Sequence, residues 1–289
     1  MTLILAAHGT RRPGGVAMIG DLAAQVSTLL DRTVQVAFVD VLGPTPSEVL
    51  SDANGPAIVV PAFLSRGYHV RTDLPAQVAA GRHPNVVVTP ALGPSREIVR
   101  TVADQLVGCG WRRGDSVILA AAGTSDLTAG ADLRTTAALL STLTGSPVDL
   151  GFAATSCPHI TDVQQAPDVR KAVANARASA GRHSARRVVV ASYLLADGLF
   201  QERLRTCGAD LVSGPLGTHP GLAQLIANRF RKAMRPAHQR RLIFDHLRAI
   251  LTPCPVAKSN RVGSSTQSRR CCVYHSAHRN SSTESSPEG

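Results

Sequence analysis

The chain has 289 residues, of which 44% are hydrophobic and only 3% aromatic. This content suffices to bury a core, which excludes a disordered or fibrous protein, and the few aromatic rings argue against stacking platforms for nucleic-acid bases. The formal charge of +11 is uneven, because residues 1–227 carry 19 Lys and Arg against 17 Asp and Glu, whereas residues 228–289 carry 12 against 3. The basic excess lies at the end of the chain, so we expect no nucleic-acid partner.

The first part of the chain alternates short apolar runs with helix-like segments. One amphipathic segment includes Met18, Leu22 and Val26, and another follows Pro94-Ser95, which predicts a helix start. Near-continuous apolar strands alternating with helices are typical of a parallel sheet covered on both faces. The four runs that predict strands are Thr2–Ala7, Val34–Val41, Ala57–Phe63 and Asn85–Ala91.

The same pattern then begins again. Shifted by 114 positions, residues 5–10 (Leu-Ala-Ala-His-Gly-Thr) fall on residues 119–124 (Leu-Ala-Ala-Ala-Gly-Thr), which indicates an internal repeat. We therefore predict two related α/β domains, residues 1–112 and 113–235, each a doubly wound and mainly four-stranded parallel sheet. The predicted strands of the second domain are Ser116–Ala122, Pro147–Ala154, Arg187–Tyr193 and Ala209–Gly214.

Residues 236–289 form a basic segment whose composition shifts to Ser and Arg, which predicts a disordered tail. A pair of cysteines, Cys271 and Cys272, and two histidines, His275 and His278, could form a metal cluster there. Adjacent cysteines are awkward ligands for one ion, so we expect removal of residues 253–289 to leave activity nearly unchanged.

Neither the cysteines nor the apolar runs point to secretion or to a membrane. The six cysteines contain no CxxC pair, which favours reduced thiols. The apolar start of the chain is too short for a secretory segment, and no run approaches the length of a membrane span. The sequence therefore predicts a cytoplasmic protein without a membrane partner.

Three polar residues are predicted at the carboxyl ends of neighbouring strands, where open parallel sheets bind their ligands. His8 follows the first strand, Asp40 ends the second, and His69 lies in the loop after the third. In a sheet ordered 2-1-3-4 these ends are adjacent. Two imidazoles and a carboxylate suit a divalent ion such as Fe(II), Co(II) or Ni(II), and three ligands leave its coordination open for delivery to another ligand.

The repeat supplies an internal comparison for these residues. His8 falls on Ala122 and Asp40 on Ala154, and alignment of the third strands, with one inserted residue, places His69 on Phe200. All three polar groups are therefore missing from the repeated scaffold, which indicates that the scaffold does not require them and predicts one working site per chain. The alternative for each is structural: a solvent-facing or capped imidazole, and an Asp that accepts backbone hydrogen bonds.

Four arginines flank the two histidines in sequence. Guanidinium groups pair well with carboxylates, so these residues are candidates for holding a substrate that bears many carboxylates. Ordinary solvated surface arginines are the alternative. The four are Arg11, Arg12, Arg66 and Arg71.

In its motifs around these residues, the sequence resembles the class II chelatases, specifically the sirohydrochlorin ferrochelatase and cobaltochelatase group. The resemblance covers about residues 1–235. The ordered combination of motifs is more specific than any single motif. They are Ala7-His8-Gly9-Thr10-Arg11, then Ala37-Phe38-Val39-Asp40-Val41 with Pro44, then Pro61-Ala62-Phe63-Leu64 leading to Gly67-Tyr68-His69-Val70-Arg71 and Asp73-Leu74-Pro75.

The resemblance implies two tandem flavodoxin-like domains with the active cleft between them. It implies an ATP-independent lyase without a prosthetic group, which inserts Fe²⁺ or Co²⁺ as substrate metal into sirohydrochlorin for sirohaem or cobalamin synthesis. His8 and His69 match the family's metal-binding histidines. The acidic position carries Asp40 where relatives commonly have Glu, and Glu48 is a second candidate.

Two other functions remain open. The first is a non-catalytic protein that binds a metal or tetrapyrrole, suggested by Asp in place of Glu. The second is a histidine phosphatase, which His8-Gly9-Thr10 suggests but which Ala7 disfavours, because that chemistry wants Arg before the histidine. Because the duplicated chain supplies both walls of a cleft, a monomer suffices.

Overall fold

The computed structural model describes residues 1–154, 166–180 and 186–235. Its first sheet has four parallel strands in the order β2-β1-β3-β4, which confirms the predicted arrangement. Because β1 pairs directly with β2 and β3, the loops that follow these three strands lie side by side. The strands are β1 (Thr2–Ala7), β2 (Val34–Phe38), β3 (Ala57–Pro61) and β4 (Val86–Val88).

The second sheet repeats this order as β6-β5-β7-β8, again entirely parallel. All eight predicted strands are present, although several end earlier than the apolar runs suggested. After Phe38, for example, Val39 still donates its N–H to Ala7 O, but Val41 adopts a φ of 70° and the chain leaves the sheet. The strands are β5 (Ser116–Ala121), β6 (Val148–Phe152), β7 (Val188–Tyr193) and β8 (Leu211–Val212).

The described residues contain eight α-helices, of which seven connect successive strands and the last follows β8. The predicted start at Pro94-Ser95 is confirmed, because the Ser95 side chain accepts a hydrogen bond from the Ile98 N–H, as capping residues do. The helices are α1 (Pro13–Leu30), α2 (Pro46–Ser51), α3 (Leu74–Ala80), α4 (Arg96–Gly108), α5 (Leu127–Thr144), α6 (Val169–Ala180), α7 (Leu199–Arg205) and α8 (Pro220–Met234).

The internal repeat is visible in the bounds of these elements. The first and last residues of β5, α5 and β6 are those of β1, α1 and β2 shifted by 114 positions. We call residues 1–112 the N-terminal half and residues 113–235 the C-terminal half. The boundary between them falls between α4 and β5, and their independence as domains stays a prediction.

Both halves contribute to one hydrophobic core. Leu3 and Leu5 of β1 pack in the same cluster as Val117 and Leu119 of β5, whereas Ile4 faces the opposite side of its sheet. This alternation follows from the two-residue period of a strand. Helices α1, α4, α5 and α8 contact one another between the sheets, with α4 against α5 and α8, and α1 against α8.

None of the helices in the described ranges combines the length and the hydrophobicity that a bilayer span requires. Cys109 and Cys207 are free cysteines, and burial raises the pKa of both thiols, which disfavours the reactive thiolate. The tail cluster considered at Cys271, Cys272, His275 and His278 lies outside the described residues.

Candidate functional site

His8 and His69 meet at the carboxyl ends of neighbouring strands. His8 directly follows β1, and His69 comes after β3, the strand paired with β1. The two ring centroids are 4.6 Å apart, with an interplanar angle of 84°. The sequence placed His69 in a loop, but it begins a single π-helical turn, His69–Asp73, which continues into α3. Single π-turns are rare and are often found at functional sites.

Hydrogen bonds orient both imidazoles in the same way. His8 Nδ1 lies 2.6 Å from Gly9 O, and His69 Nδ1 lies 2.6 Å from Asp73 Oδ2. A carbonyl and a carboxylate both act as acceptors, so each Nδ1 carries the hydrogen and donates it. In each neutral ring the lone pair is then on Nε2, which is the atom left available to bind a metal ion.

The ring spacing is compatible with two ligands on one ion. For metal–nitrogen distances of about 2.1 Å and a tetrahedral angle, two imidazole centroids would lie about 5 Å apart. The observed 4.6 Å is close to that value. The two histidines therefore could bind one ion without a large movement of either loop.

Aromatic neighbours also restrict His69. Phe63 stacks on the imidazole at 6.2 Å and 26°, and Tyr68 meets it edge to face at 6.0 Å. The His69 side chain keeps 34% of its surface exposed. The two aromatic side chains therefore restrict the His69 imidazole, which is still partly accessible to solvent.

The structure does not bring Asp40 into a ligand group with the two histidines. Asp40 is exposed, and its Oδ1 accepts a hydrogen bond of 2.7 Å from the Val41 N–H. Across residues 1–154, 166–180 and 186–235, no group of three His, Cys, Asp or Glu side chains could hold a metal ion. Glu48, the second candidate, forms a capping box with Thr45 at the start of α2. The Thr45 backbone N–H donates a hydrogen bond to the Glu48 carboxylate, which lowers the pKa of Glu48.

Asp73 is the acidic residue that contacts His69, a role that the sequence motifs did not predict. Its carboxylate bonds His69 across the π-turn, four residues away. The signal in the sequence is the spacing His69-x-x-x-Asp73, which places both side chains on one helical face. It was missed because His69 was assigned to a loop.

Replacement of Asp73 by Asn tests this contact. The amide keeps the shape but removes the charge that orients His69 Nδ1–H, and loss of such an outer partner costs about tenfold in metal affinity. We expect about tenfold weaker Co²⁺ binding, measured by anaerobic absorbance titration, with unchanged circular dichroism. Asp52→Asn, at the exposed end of α2, is the control. Parent-like binding by Asp73→Asn would contradict a role for this carboxylate.

The four flanking arginines differ in their partners. Arg11 is exposed and makes no ion pair or hydrogen bond with the rest of the described chain. The other three contact acidic residues of the C-terminal half: Arg12 pairs with Glu202, Arg66 with Asp132 and Arg71 with Asp126. The arginines predicted for substrate carboxylates are thus mostly occupied by carboxylates of the protein.

Beside His8 lies a cleft of about 520 Å³ between the two halves, within the usual range for small-molecule sites. One wall consists of the loops after β1 and β3 and includes His8, and the other consists of the loops after β5 and β7. The second wall is largely apolar. Its members are Ala121, Ala122, Gly123, Thr124, Tyr193, Leu194, Leu195, Ala196, Asp197, Gly198, Leu199 and Phe200.

The residues aligned with His8 and His69, Ala122 and Phe200, both line this second wall. Phe200 is 37% exposed, and the Arg203 guanidinium lies 5.8 Å from its ring centroid. The next residue, Gln201, is buried, accepts a hydrogen bond from Ser192 Oγ and donates one to Ser213 O. These buried bonds fix the first turn of α7 and hence the backbone that carries Phe200.

The CbiX family model matches residues 2–108. Sirohydrochlorin cobaltochelatase of Methanopyrus kandleri is 31% identical over 80 residues, which are 26% of this chain and 56% of that protein. The enzyme of the same name from Methanococcoides burtonii is 32% identical over 73 residues, 24% of this chain and 56% of that protein. The chain thus spans about half the length of these relatives.

Solved structures share the fold across both halves. SirB from Bacillus subtilis with Fe³⁺ superposes with a TM-score of 0.65 at 18% identity, covering 80% of this chain and 95% of SirB. CbiX, described as the terminal enzyme for siroheme biosynthesis in denitrifying bacteria, superposes with a TM-score of 0.58 at 19% identity, covering 81% and 100%. Residues 2–108 thus match the CbiX family, which supports the class II chelatase resemblance over that part of the chain.

Proposed function

We propose that this protein inserts Fe²⁺ or Co²⁺ into a carboxylate-rich tetrapyrrole of the sirohydrochlorin type, without ATP. The observation that carries the proposal is the His8–His69 pair. The ring centroids are 4.6 Å apart, both Nδ1 atoms are hydrogen-bonded, which leaves each Nε2 to bind a metal ion, and His8 lines the cleft. The Methanopyrus kandleri relative is a sirohydrochlorin cobaltochelatase, whose activity is of this kind.

In the proposed reaction, His8 and His69 hold the incoming ion through Nε2 while the macrocycle lies in the cleft. Two pyrrole N–H bonds break and four metal–nitrogen bonds form, with release of two protons and loss of the two histidine–metal bonds. An imidazole that has released the metal can accept one of those protons at Nε2. Transfer of the metal ion is favourable because the two histidines form two bonds to it, whereas the macrocycle forms four.

The cleft offers separate surfaces to the ring and to its carboxylates. The apolar second wall suits the face of a conjugated macrocycle, since burial of apolar surface is favourable. Arg11, which makes no bond to the described chain, is available to pair with a substrate carboxylate. Arg12 lies half-exposed at the same cleft, where a substrate carboxylate could compete with Glu202.

Replacement of Phe200 by Ala tests the apolar wall. Loss of a partly exposed aromatic contact should weaken tetrapyrrole binding by about 1–2 kcal/mol, or roughly tenfold. We expect KM for sirohydrochlorin to rise about tenfold with little change in kcat or in Co²⁺ affinity. Leu143→Ala, on the exposed side of α5, should have parent-like KM. A KM for Phe200→Ala equal to that of the parent would contradict this contact.

The overall proposal is tested by mixing the protein anaerobically with sirohydrochlorin and either Fe²⁺ or Co²⁺. We expect the absorbance spectrum to convert faster than in protein-free samples, without added ATP. Conversion at the spontaneous rate with both metals would refute the proposal. Direct competition between the two metals on one tetrapyrrole assigns the preferred ion, which two imidazole ligands do not select.

A non-catalytic metal or tetrapyrrole carrier is the second candidate. The specific observation in its favour is that no third ligand joins His8 and His69 in the described part of the chain. Tight, stoichiometric binding of Co²⁺ or sirohydrochlorin without turnover would favour this carrier function over catalysis.

A further inference from the structure

We propose that the C-terminal half acts as a positioning platform for the metal site, and that helix α5 sets the location of His69 through Asp132. The inference rests on the proposed role of His69 as a metal ligand. It assigns Arg66 and Arg71, candidates for substrate binding by sequence, to positioning instead.

The strongest contact is between Arg66 and Asp132. Asp132 lies on α5 and is 1% exposed. Its carboxylate accepts the Arg66 backbone N–H at 2.8 Å and two guanidinium contacts, from Nη2 at 2.6 Å and from Nε at 3.0 Å. Both the backbone and the side chain of Arg66, three residues before His69, are thus tied to the other half.

A second contact holds the residues after His69 to the same helix. Arg71 Nη1 donates to Thr128 Oγ1 at 3.0 Å and lies 3.4 Å from Asp126 Oδ2. Asp126 is the N-cap of α5 and accepts the N–H groups of Thr128 and Ala129. Its carboxylate is therefore itself fixed by the start of the helix.

Between these two contacts the chain passes directly over α5. A Cβ built on Gly67 would lie 3.7 Å from Ala129 Cβ, which is ordinary van der Waals contact. Helix α5 thus contacts the segment just before the turn that carries His69 and, through Arg71, the turn itself. Its contact points Asp126, Ala129 and Asp132 lie three residues apart, on one face of the helix.

Strand β7 adds a third contact. The buried Tyr193 donates its hydroxyl hydrogen to Leu64 O at 2.9 Å, in the loop that leads from β3 toward His69. Gly93 is close to both groups, because a Cβ there would lie 2.2 Å from Leu64 O and 2.5 Å from Tyr193 Oη. This close packing leaves the loop little freedom to move.

The His8 ring bonds the neighbouring Gly9 carbonyl. The ion pair nearest to it across the halves, Arg12–Glu202, is half-exposed on both sides, so the C-terminal half holds the His8 loop less firmly than the His69 segment. The distance between the two histidines therefore depends on how well the C-terminal half holds the His69 segment. The C-terminal half would then contribute to the metal site although it carries Ala122 and Phe200 at the positions equivalent to His8 and His69.

The experiment compares two Asp→Asn variants in the full-length protein. Asp132→Asn weakens the fork to Arg66. Asp115→Asn is the matched control, because Asp115 is 9% exposed, accepts the Arg112 N–H at 2.7 Å and binds the Arg187 guanidinium, but lies away from the cleft. Each variant is assayed for Co²⁺ affinity by anaerobic absorbance titration, and for thermal unfolding.

We expect Asp132→Asn to weaken Co²⁺ binding about tenfold, the lower end of losses on mutation of outer-shell partners. Asp115→Asn should lose thermal stability to a similar degree and keep parent-like affinity. Tyr193→Phe preserves the core and removes the hydroxyl bond to Leu64 O, together with a longer contact of 3.5 Å to Thr136 Oγ1, so it should weaken binding about threefold. Equal Co²⁺ affinity in the Asp132→Asn, Asp115→Asn and parent proteins, or equal weakening in both variants, would overturn the inference.

His69→Ala in the same titration tests the metal site separately from the positioning role of Asp132. Loss of Co²⁺ binding in His69→Ala together with parent-like binding in Asp132→Asn would refute the positioning role alone. Parent-like binding in His69→Ala would refute the metal site itself, and the positioning role with it.

Discussion

Replacement of either His8 or His69 by Ala should abolish metal insertion while the protein remains folded. Each change removes one of the two Nε2 donors, and loss of a group that binds metal and accepts protons should lower the rate by about two orders of magnitude or more. His8 is exposed and the His69 side chain is 34% exposed, so neither change should disturb the core. The anaerobic conversion of sirohydrochlorin with Co²⁺ measures the effect.

His83→Ala is the matched control for both substitutions. His83 lies in the turn between α3 and β4, where its Nδ1 accepts the Asn85 N–H. We expect the parent rate from this variant and parent-like thermal unfolding from all three. If either His8→Ala or His69→Ala converts sirohydrochlorin at the parent rate, that residue is not part of the site.

Replacement of Gly9 by Ala should cost both stability and activity. A Cβ at Gly9 would lie 2.1 Å from Asp40 O and 3.1 Å from Leu42 N, so the loops after β1 and β2 would have to separate. Strain of this kind costs about 3 kcal/mol, which for a domain of this size lowers the melting temperature by about 8 °C. Because Gly9 O also receives the His8 Nδ1 hydrogen bond, we expect Co²⁺ affinity to fall as well.

Gly20→Ala provides the opposite case in the same half. Gly20 is exposed within α1, and a Cβ there meets nothing within 4 Å. Alanine in a helix interior is favoured over glycine by about 1 kcal/mol, so this variant should melt at a higher temperature with unchanged Co²⁺ affinity. Equal melting temperatures for Gly9→Ala and the parent would show that the two loops can separate without cost.

Local pattern was enough to predict the sheets. The apolar runs are strong because strands of a parallel sheet are buried on both faces, and the 114-residue repeat made the second sheet readable from the first. The placement of His8 and His69 at adjacent strand ends followed from the strand order alone. None of these inferences required knowledge of contacts between the halves.

The partners of the charged residues could not be predicted in this way. Arg66 and Asp132 are 66 residues apart, and their pairing depends on how α5 packs against the loop after β3. The sequence gives only a weak signal of this pairing. Asp132 and Thr136 are polar residues one turn apart on α5, and the structure shows that both are buried. Arg66 and Arg71 were therefore predicted as candidates for substrate carboxylates, whereas both pair with carboxylates of the protein.

Asp40 and Asp73 show the same limit at shorter range. Motif position favoured Asp40, whereas the carboxylate that contacts an imidazole belongs to Asp73. The difference arises from the π-turn, which brings Asp73 onto the face of His69. Sequence periodicity does not distinguish a π-turn from a loop over five residues.

The core shared by the two halves bears on any attempt to shorten the protein. Ile98, Val102 and Leu106 of α4 are almost completely buried in the cluster that also contains Leu133 and Leu140 of α5. A fragment ending near residue 112 would contain both histidines but would expose this α4 surface to water. Exposed apolar surface of that kind promotes aggregation, so a minimal version of the site would need a redesigned α4, or a substitute for the helices that cover it.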